Sequence, residues 1–142
     1  LKTMVAFNYE TDFELNNPHL YQSWVDQIIR SESHSTGEIN YIFCDDNYLH
    51  EINLKFLNHD TLTDIISFDY TEGKLVSGDI FISVERVAEN ARIFNTTFEE
   101  ELRRVMAHGI LHYCGYPDKT EKEKEIMRNK ENEKLDLFHV EH

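Results

Sequence analysis

The sequence predicts a single-domain α+β fold, residues 1–142, with a small mixed β-sheet of about four strands packed with helices. Three observations carry that expectation. A chain of 142 residues is most simply one domain, and at this size folding buries roughly 70% of the extended surface without disulfide or metal staples. Apolar residues make up 40% and charged residues 29%, with nine Phe, seven Tyr and one Trp, enough for a core inside a soluble surface. Short β-rich runs alternate with longer stretches of helical spacing, and there is no internal repeat, linker or low-complexity segment.

Residues 3 to 9 (TMVAFNY) read as a first strand. Asn17-Pro18 supplies a cap and a preorganised first helical position. Leu20, Trp24, Val25 and Ile28 then share one face, predicting a core helix through about Glu32. SHSTG breaks that pattern. Glu38 to Cys44 (EINYIFC) predicts a second strand, followed by a cap at Asp45-Asp46 and a helix with Leu49, Ile52, Phe56 and Leu57 facing inward. After the polar turn NHDTLT, Asp64 to Tyr70 and Gly78 to Ser83 predict two more strands, joined through Glu72-Gly73-Lys74 as a hairpin with a longer loop. Ser83 caps a helix, VERVAENARIF, on which Val87, Ala91 and Phe94 form a modest stripe. Thr97-Phe98-Glu99-Glu100 is a capping-box pattern, opening the next helix. From Glu121 to Phe138 acids and bases alternate, and only Ile126, Met127, Leu135, Leu137 and Phe138 are apolar. This predicts a solvated C-terminal helix and not a nucleic-acid arm.

The formal net charge of −13 repels nucleic acid globally, so such a ligand would need a local basic patch or a metal ion to hold its phosphates. The opening LKTMVAFNYE has no basic start, long apolar run or small-residue cleavage site. No later segment reaches about 18 uninterrupted apolar residues, so a cytoplasmic location away from membranes is expected. Two cysteines, Cys44 and Cys114, are too few for a disulfide scaffold and read as packed, reduced thiols.

Chemistry concentrates in residues 107–118, AHGILHYCGYPD. His108 and His112, four apart on a helix, stack their imidazoles on one face, where both can grip one metal ion. Gly115 ends the helix by taking a left-handed conformation and Pro117 prevents its continuation, so the chain turns back and Asp118 offers a third ligand oxygen. With eight histidines, chance alone supplies about 0.4 H-x3-H pairs, but adding the Gly and the final ligand lowers the expectation to about 0.004. The combined pattern is therefore specific where the histidine pair is not. At 100° per residue, Leu102, Val105, Met106, Gly109 and Tyr113 form the core stripe of this helix, while Glu101, His108 and His112 border it and face a cleft. Cys114 could compete as a ligand, but in a regular helix it points about 160° away from His112. His50 and His59 have no partner at ligand spacing.

Three protein ligands leave a position for water, as in catalytic zinc sites. Water on such an ion ionises near neutral pH, so hydrolysis is the natural reaction class. The donor set suits zinc first, with nickel or manganese as alternatives. The spacing approaches that of H-E-x-x-H metalloproteases, but the position of their general base is Gly109, which marks a peptide-cleaving reading down. No general base is identifiable.

HGILHYCGYPD resembles the H-G-x-L-H-L-x-G-Y-D-H signature of the YbeY endoribonucleases, bacterial proteins of ribosomal RNA maturation and ribosome quality control. Upstream, Thr63-Asp64-Ile65-Ile66-Ser67-Phe68 is similar to that family's T-D-V-L-S-F segment and Gly78-Asp79-Ile80 to its G-D-I. The resemblance implies a zincin-like α+β fold with the metal site on the motif helix. It also implies hydrolysis of single-stranded RNA, particularly in maturing the 3′ end of 16S rRNA on the small ribosomal subunit, with no DNA substrate. Thr63, Asp64, Ser67, Gly78 and Asp79 would then shape the adjoining cleft. Two departures stand out. The family's third histidine aligns to Asp118, altering charge and metal preference. Its phosphate-gripping Arg before T-D-V-L-S-F is absent from FLNHDTLTD, leaving that role to Lys55 or an arginine from elsewhere. Two other readings stay open beside the nuclease: a ribosome-associated binding module stapled by a structural metal, and a metalloprotease-like hydrolase.

Overall fold

The computed structural model describes residues 5–57 and 63–140, the last two of these by backbone alone. Thr3, Met4, His59 and most of the NHDTLT turn lie outside the described residues. The chain runs β1 (Val5–Tyr9), α1 (Pro18–Ser31), β2 (Ser35–Cys44), α2 (Asp46–Leu57), β3 (Ile65–Asp69), β4 (Leu75–Ser83), α3 (Val84–Ile93), α4 (Phe98–Tyr113) and α5 (Glu121–Val140). The strands form one mixed sheet in the order β1-β2-β4-β3. β1 and β4 flank β2 in parallel, and β3 is an antiparallel edge strand on β4. This is the α+β architecture the alternating pattern predicts.

Strand periodicity divides the side chains between two faces. Phe7, Tyr41, Phe43, Ile80 and Ile82 pack with Trp24, Ile28, Leu102, Met106 and Ile110 of α1 and α4, forming the main core. On the opposite face Cys44, Leu49 and Ile66, with Ile52, Phe68 and Phe81, make a smaller cluster under α2. β3 and β4 thus lie between α4 and α2, with Gly109 of α4 set against Ile80 of β4 and Ile65 of β3.

Several local expectations are corrected. β2 begins at Ser35, not Glu38, and β4 at Leu75, because Gly37 lets the two strands approach; a Cβ there would lie 2.8 Å from the Val76 carbonyl oxygen. Asn17 adopts φ 58 and makes no side-chain cap, so Pro18 alone starts α1. Phe56, Leu57 and Phe94 are exposed, not inward: Asn53 takes the buried position one turn after Leu49, and α3 has ended before Phe94. The largest correction is α5. It buries Met127, Leu135 and Phe138 together with Glu131 and Lys134, at 5% and 1% exposure. Its inner stripe is completed by charged residues that pair internally, which a count of apolar residues misses. Trp24 of α1 donates to the Lys134 carbonyl at 2.7 Å, fastening α5 to the core.

Candidate metal centre and its cleft

α4 places the two histidines. Thr97 caps it by accepting from the Glu100 amide at 3.1 Å, and Glu99, Glu100 and Glu101 occupy its positive first turn. Its end is a Schellman turn: the Gly115 amide donates to the His112 carbonyl at 3.0 Å and the Tyr116 amide to the Leu111 carbonyl at 3.1 Å, with Gly115 at φ 103. The reversal carries Asp118 back to the histidine face. Its Oδ2 lies 3.1 Å from His108 Nε2 and 3.4 Å from His112 Nε2.

The other ring nitrogens fix the tautomers. His112 Nδ1 lies 2.8 Å from the Tyr116 carbonyl, which can only accept, so Nδ1 carries a proton and, in the neutral ring, the lone pair is on Nε2. His108 Nδ1 likewise donates to Glu131 Oε2 at 2.7 Å. With both rings neutral, two lone pairs converge on a carboxylate oxygen, an arrangement that calls for a cation or a proton among them. Ligands bonded at about 2.0–2.1 Å around a tetrahedral zinc ion stand about 3.3 Å apart, close to two of the observed separations. All three donors lie within 4.8 Å of one another. His108, His112 and Asp118 thus fit a divalent ion, and each histidine has the outer hydrogen bond typical of a metal-bound imidazole. Burial opposes the charge of His108, but Glu131, Asp118 and Asp64 outweigh it and raise the pKa above the ordinary 6.5.

The centre opens onto a cleft of about 400 Å3 lined by Thr63, Asp64, Glu101, Arg104, Arg128 and Glu131, among others. Arg104 donates to Glu131 Oε1 at 3.0 Å and to Asn132 Oδ1 at 2.8 Å. Asp64 and Glu101 are pushed above the usual carboxylate range chiefly by burial.

Of the cleft residues expected from sequence, Thr63 and Asp64 stand in this lining. Ser67, Gly78 and Asp79 gather instead around Tyr113, the residue after His112. The Tyr113 hydroxyl lies 3.0 Å from both the Phe68 and Asp79 carbonyls, and Ser67 precedes Phe68 on β3. A Cβ on Gly78 would sit 2.5 Å from the Tyr113 ring. Lys55 stands on α2 with its ammonium 5.6 Å over the Phe56 ring, outside the cleft lining. Arg104, Arg128 and Glu131 were missed. Arg104 sits one turn before His108, and Arg128 and Glu131 one turn apart on α5, but only the docking of α5 shows that they share a wall. Cys44 and Cys114 are free thiols whose pKa values burial pushes up to about 12 and about 11. Neither belongs to the metal group. No helix of the described residues is long and apolar enough to cross a membrane.

Comparisons with known proteins point to one family. A family model described as Endoribonuclease YbeY matches residues 6–139. An Endoribonuclease YbeY of Flavobacterium johnsoniae is 64% identical over 138 residues, covering 97% of this chain and 99% of that protein. One of Flavobacterium psychrophilum is 63% identical over 137 residues, covering 96% and 98%. Among solved structures, the solution structure of a Thermotoga maritima protein superposes with a TM-score of 0.69 at 29% identity, over 97% of this chain and 91% of that one.

Proposed function

Because the chain belongs to the YbeY endoribonuclease family, and is thereby an endoribonuclease and a hydrolase, we propose that it cleaves single-stranded RNA in ribosomal RNA processing, using a divalent ion held by His108, His112 and Asp118. The proposed setting is cytoplasmic, on the small ribosomal subunit, in maturation of the 16S rRNA 3′ end and in ribosome quality control. Zinc is the proposed ion, with nickel or manganese as alternatives for a site that has an Asp in place of a third His.

The observation that carries the reading is the convergence of His108 Nε2, His112 Nε2 and Asp118 Oδ2 at the mouth of a polar cleft. When bound, a divalent ion there supplies Lewis acidity and a water ionising near neutral pH. Glu131 and the Tyr116 carbonyl keep both imidazoles aimed. In a lining that also holds Asp64, Glu101, Asp118 and Glu131, Arg128 and Arg104 are the cations placed to meet phosphate on a chain of net charge −13, in the role of the basic residue missing before β3. Asp64 and Glu101, with pKa values raised by burial, are the carboxyl groups placed to take or return a proton at this cleft. Thr63 borders the same space, while Ser67, Gly78 and Asp79 act through Tyr113 on the placement of α4.

Metal-loaded wild-type protein should cleave a single-stranded rRNA fragment and lose that activity to a chelator or to His108→Ala. His112→Ala and Asp118→Ala should each lower metal content by elemental analysis. Chelator-insensitive cleavage that survives His108→Ala, or binding without cleavage by folded protein, would overturn the proposal.

A further inference from the structure

Glu32 lies one residue beyond α1 and outside the cleft, with a side chain 10% exposed, yet three groups from two segments, the turn after α4 and α5, meet on it. The Tyr116 hydroxyl donates to its Oε1 at 2.7 Å. Lys134 Nζ lies 2.7 Å and Lys130 Nζ 3.2 Å from its Oε2. Ser31, just before it, accepts from Lys134 Nζ at 2.9 Å, and Glu133 completes the shell of that ammonium at 2.6 Å. Lys130 also sits 5.5 Å over the Tyr116 ring.

An ion pair as enclosed as Glu32–Lys134 is costly to desolvate, and apolar residues of similar volume would close such a corner at least as stably. What these charges add is direction. They fix one carboxylate with one oxygen aimed at a single phenol. That phenol belongs to the residue whose amide closes the Schellman turn and whose carbonyl takes the His112 Nδ1 proton at 2.8 Å, two positions before Asp118. A rotation of the Tyr116 peptide would withdraw that carbonyl and displace the segment leading to Asp118 at the same time.

We infer that Glu32, backed by Lys134 and Lys130, is a positioning residue for the metal centre: it anchors the Tyr116 hydroxyl so that the Tyr116 carbonyl holds His112 with Nε2 toward Asp118. This rests on the reading that His108, His112 and Asp118 hold an ion. Sequence gives no hint of it, since Glu32 and Tyr116 are 84 positions apart and each is an ordinary surface residue type.

Tyr116→Phe keeps the ring and removes only the tether; Glu32→Gln keeps the shape and removes the charge. Two readouts test both variants: zinc affinity by competition with a chelating dye, and the His112 tautomer by nitrogen-15 NMR of the metal-free protein. Outer-shell changes commonly cost 10–100-fold in metal affinity, and one bond further out we expect the low end, about 10-fold for each variant. The double variant should be little worse than either single one, because both break the same tether. The His112 signal should shift from a purely Nδ1-protonated ring toward a mixture. A merely structural role would lower thermal stability while leaving the tautomer and the zinc affinity of folded protein unchanged, and that result overturns the inference. If Glu32→Gln does not fold, Tyr116→Phe decides alone. Zinc failing to bind the wild-type protein would sink the metal reading and the inference with it, whereas wild-type binding matched by both variants sinks the inference only.

Discussion

Removing Glu131 should damage the metal centre and the core together, and by predictable amounts. At 5% exposure, its carboxylate takes the His108 Nδ1 proton at 2.7 Å and an Arg104 N–H at 3.0 Å. In Glu131→Ala the ring of His108 loses the acceptor that aims it. Arg104, its side chain 18% exposed, keeps Asn132 but no carboxylate. Removing one partner of a buried pair costs about 3–5 kcal/mol. For a chain of this size, where 1 kcal/mol shifts Tm by about 3–4 °C, the melting temperature should fall by roughly 9–20 °C. Metal affinity should fall about 10–100-fold, the usual cost of deleting the group behind a metal-bound imidazole. Glu131→Gln should fall between Ala and wild type: its one amide oxygen can accept from His108 or Arg104, while the NH2 group confronts the other donor. Differential scanning fluorimetry and dye competition at pH 7.5 measure both quantities. Zinc affinity within twofold of wild type for folded Glu131→Ala would refute the claim that α5 orients the metal face of α4.

Three further outcomes follow from the geometry. Gly78→Ala would place a Cβ 2.5 Å from the Tyr113 ring and 2.6 Å from the Phe68 carbonyl oxygen, so overpacking of about 1–3 kcal/mol should lower Tm by several degrees; an unchanged Tm would show that the Tyr113 seat yields freely. Arg128→Gln should weaken binding of single-stranded RNA and flatten the slope of log K against log salt by about 0.7, one phosphate contact, whereas Lys55→Gln should leave that slope unchanged. Burial opposes the charge of Glu32, but hydrogen bonds from Lys134, Tyr116 and Lys130 outweigh it and hold its pKa below the ordinary 4.5. The folded value being the lower one, its stabilisation is complete above the unfolded pKa and is lost as pH falls through the folded pKa. Glu32→Gln should therefore flatten the acid limb of stability below about pH 4.5; superimposable acid-unfolding curves would contradict this.

The metal motif was legible because its constraints are local. Helical spacing sets His108 beside His112, a left-handed Gly115 turns the chain, and Asp118 follows within the reach of that turn. Strands were legible for a similar reason, since alternation records which face is buried. α5 was not. Hydrophobic patterning assumes that buried positions are apolar, and Glu131 and Lys134 violate that assumption with partners on α4 and at the end of α1, at separations of 23 and 103 positions in the bonds to His108 and Ser31. Gly37 shows a second blind spot: within SHSTG it reads as a turn residue, but it serves a close approach between parallel strands.

The segments TDIISF and GDI are instructive because a motif shared with a nuclease family invites the reading that each residue touches substrate. Phe68, Gly78 and Asp79 meet instead at the Tyr113 hydroxyl and ring, on the sheet side of α4. Asp79 is further steadied by Asn40, whose amide donates to its Oδ1 at 3.1 Å, so β2, β4 and β3 all bear on the same point. Tyr113 adjoins His112, and a shift of its hydroxyl between two strand carbonyls would slide or turn the last helical turn and carry the imidazole with it. From the other side Glu131 and Tyr116 hold the two Nδ1 atoms. The histidines are therefore clamped between a strand register behind them and hydrogen bonds from α5 and the turn in front. A strand-side change such as Gly78→Ala should alter metal affinity without touching any charged group in the cleft. The salt dependence of RNA binding, which reports Arg104 and Arg128, should stay as it was.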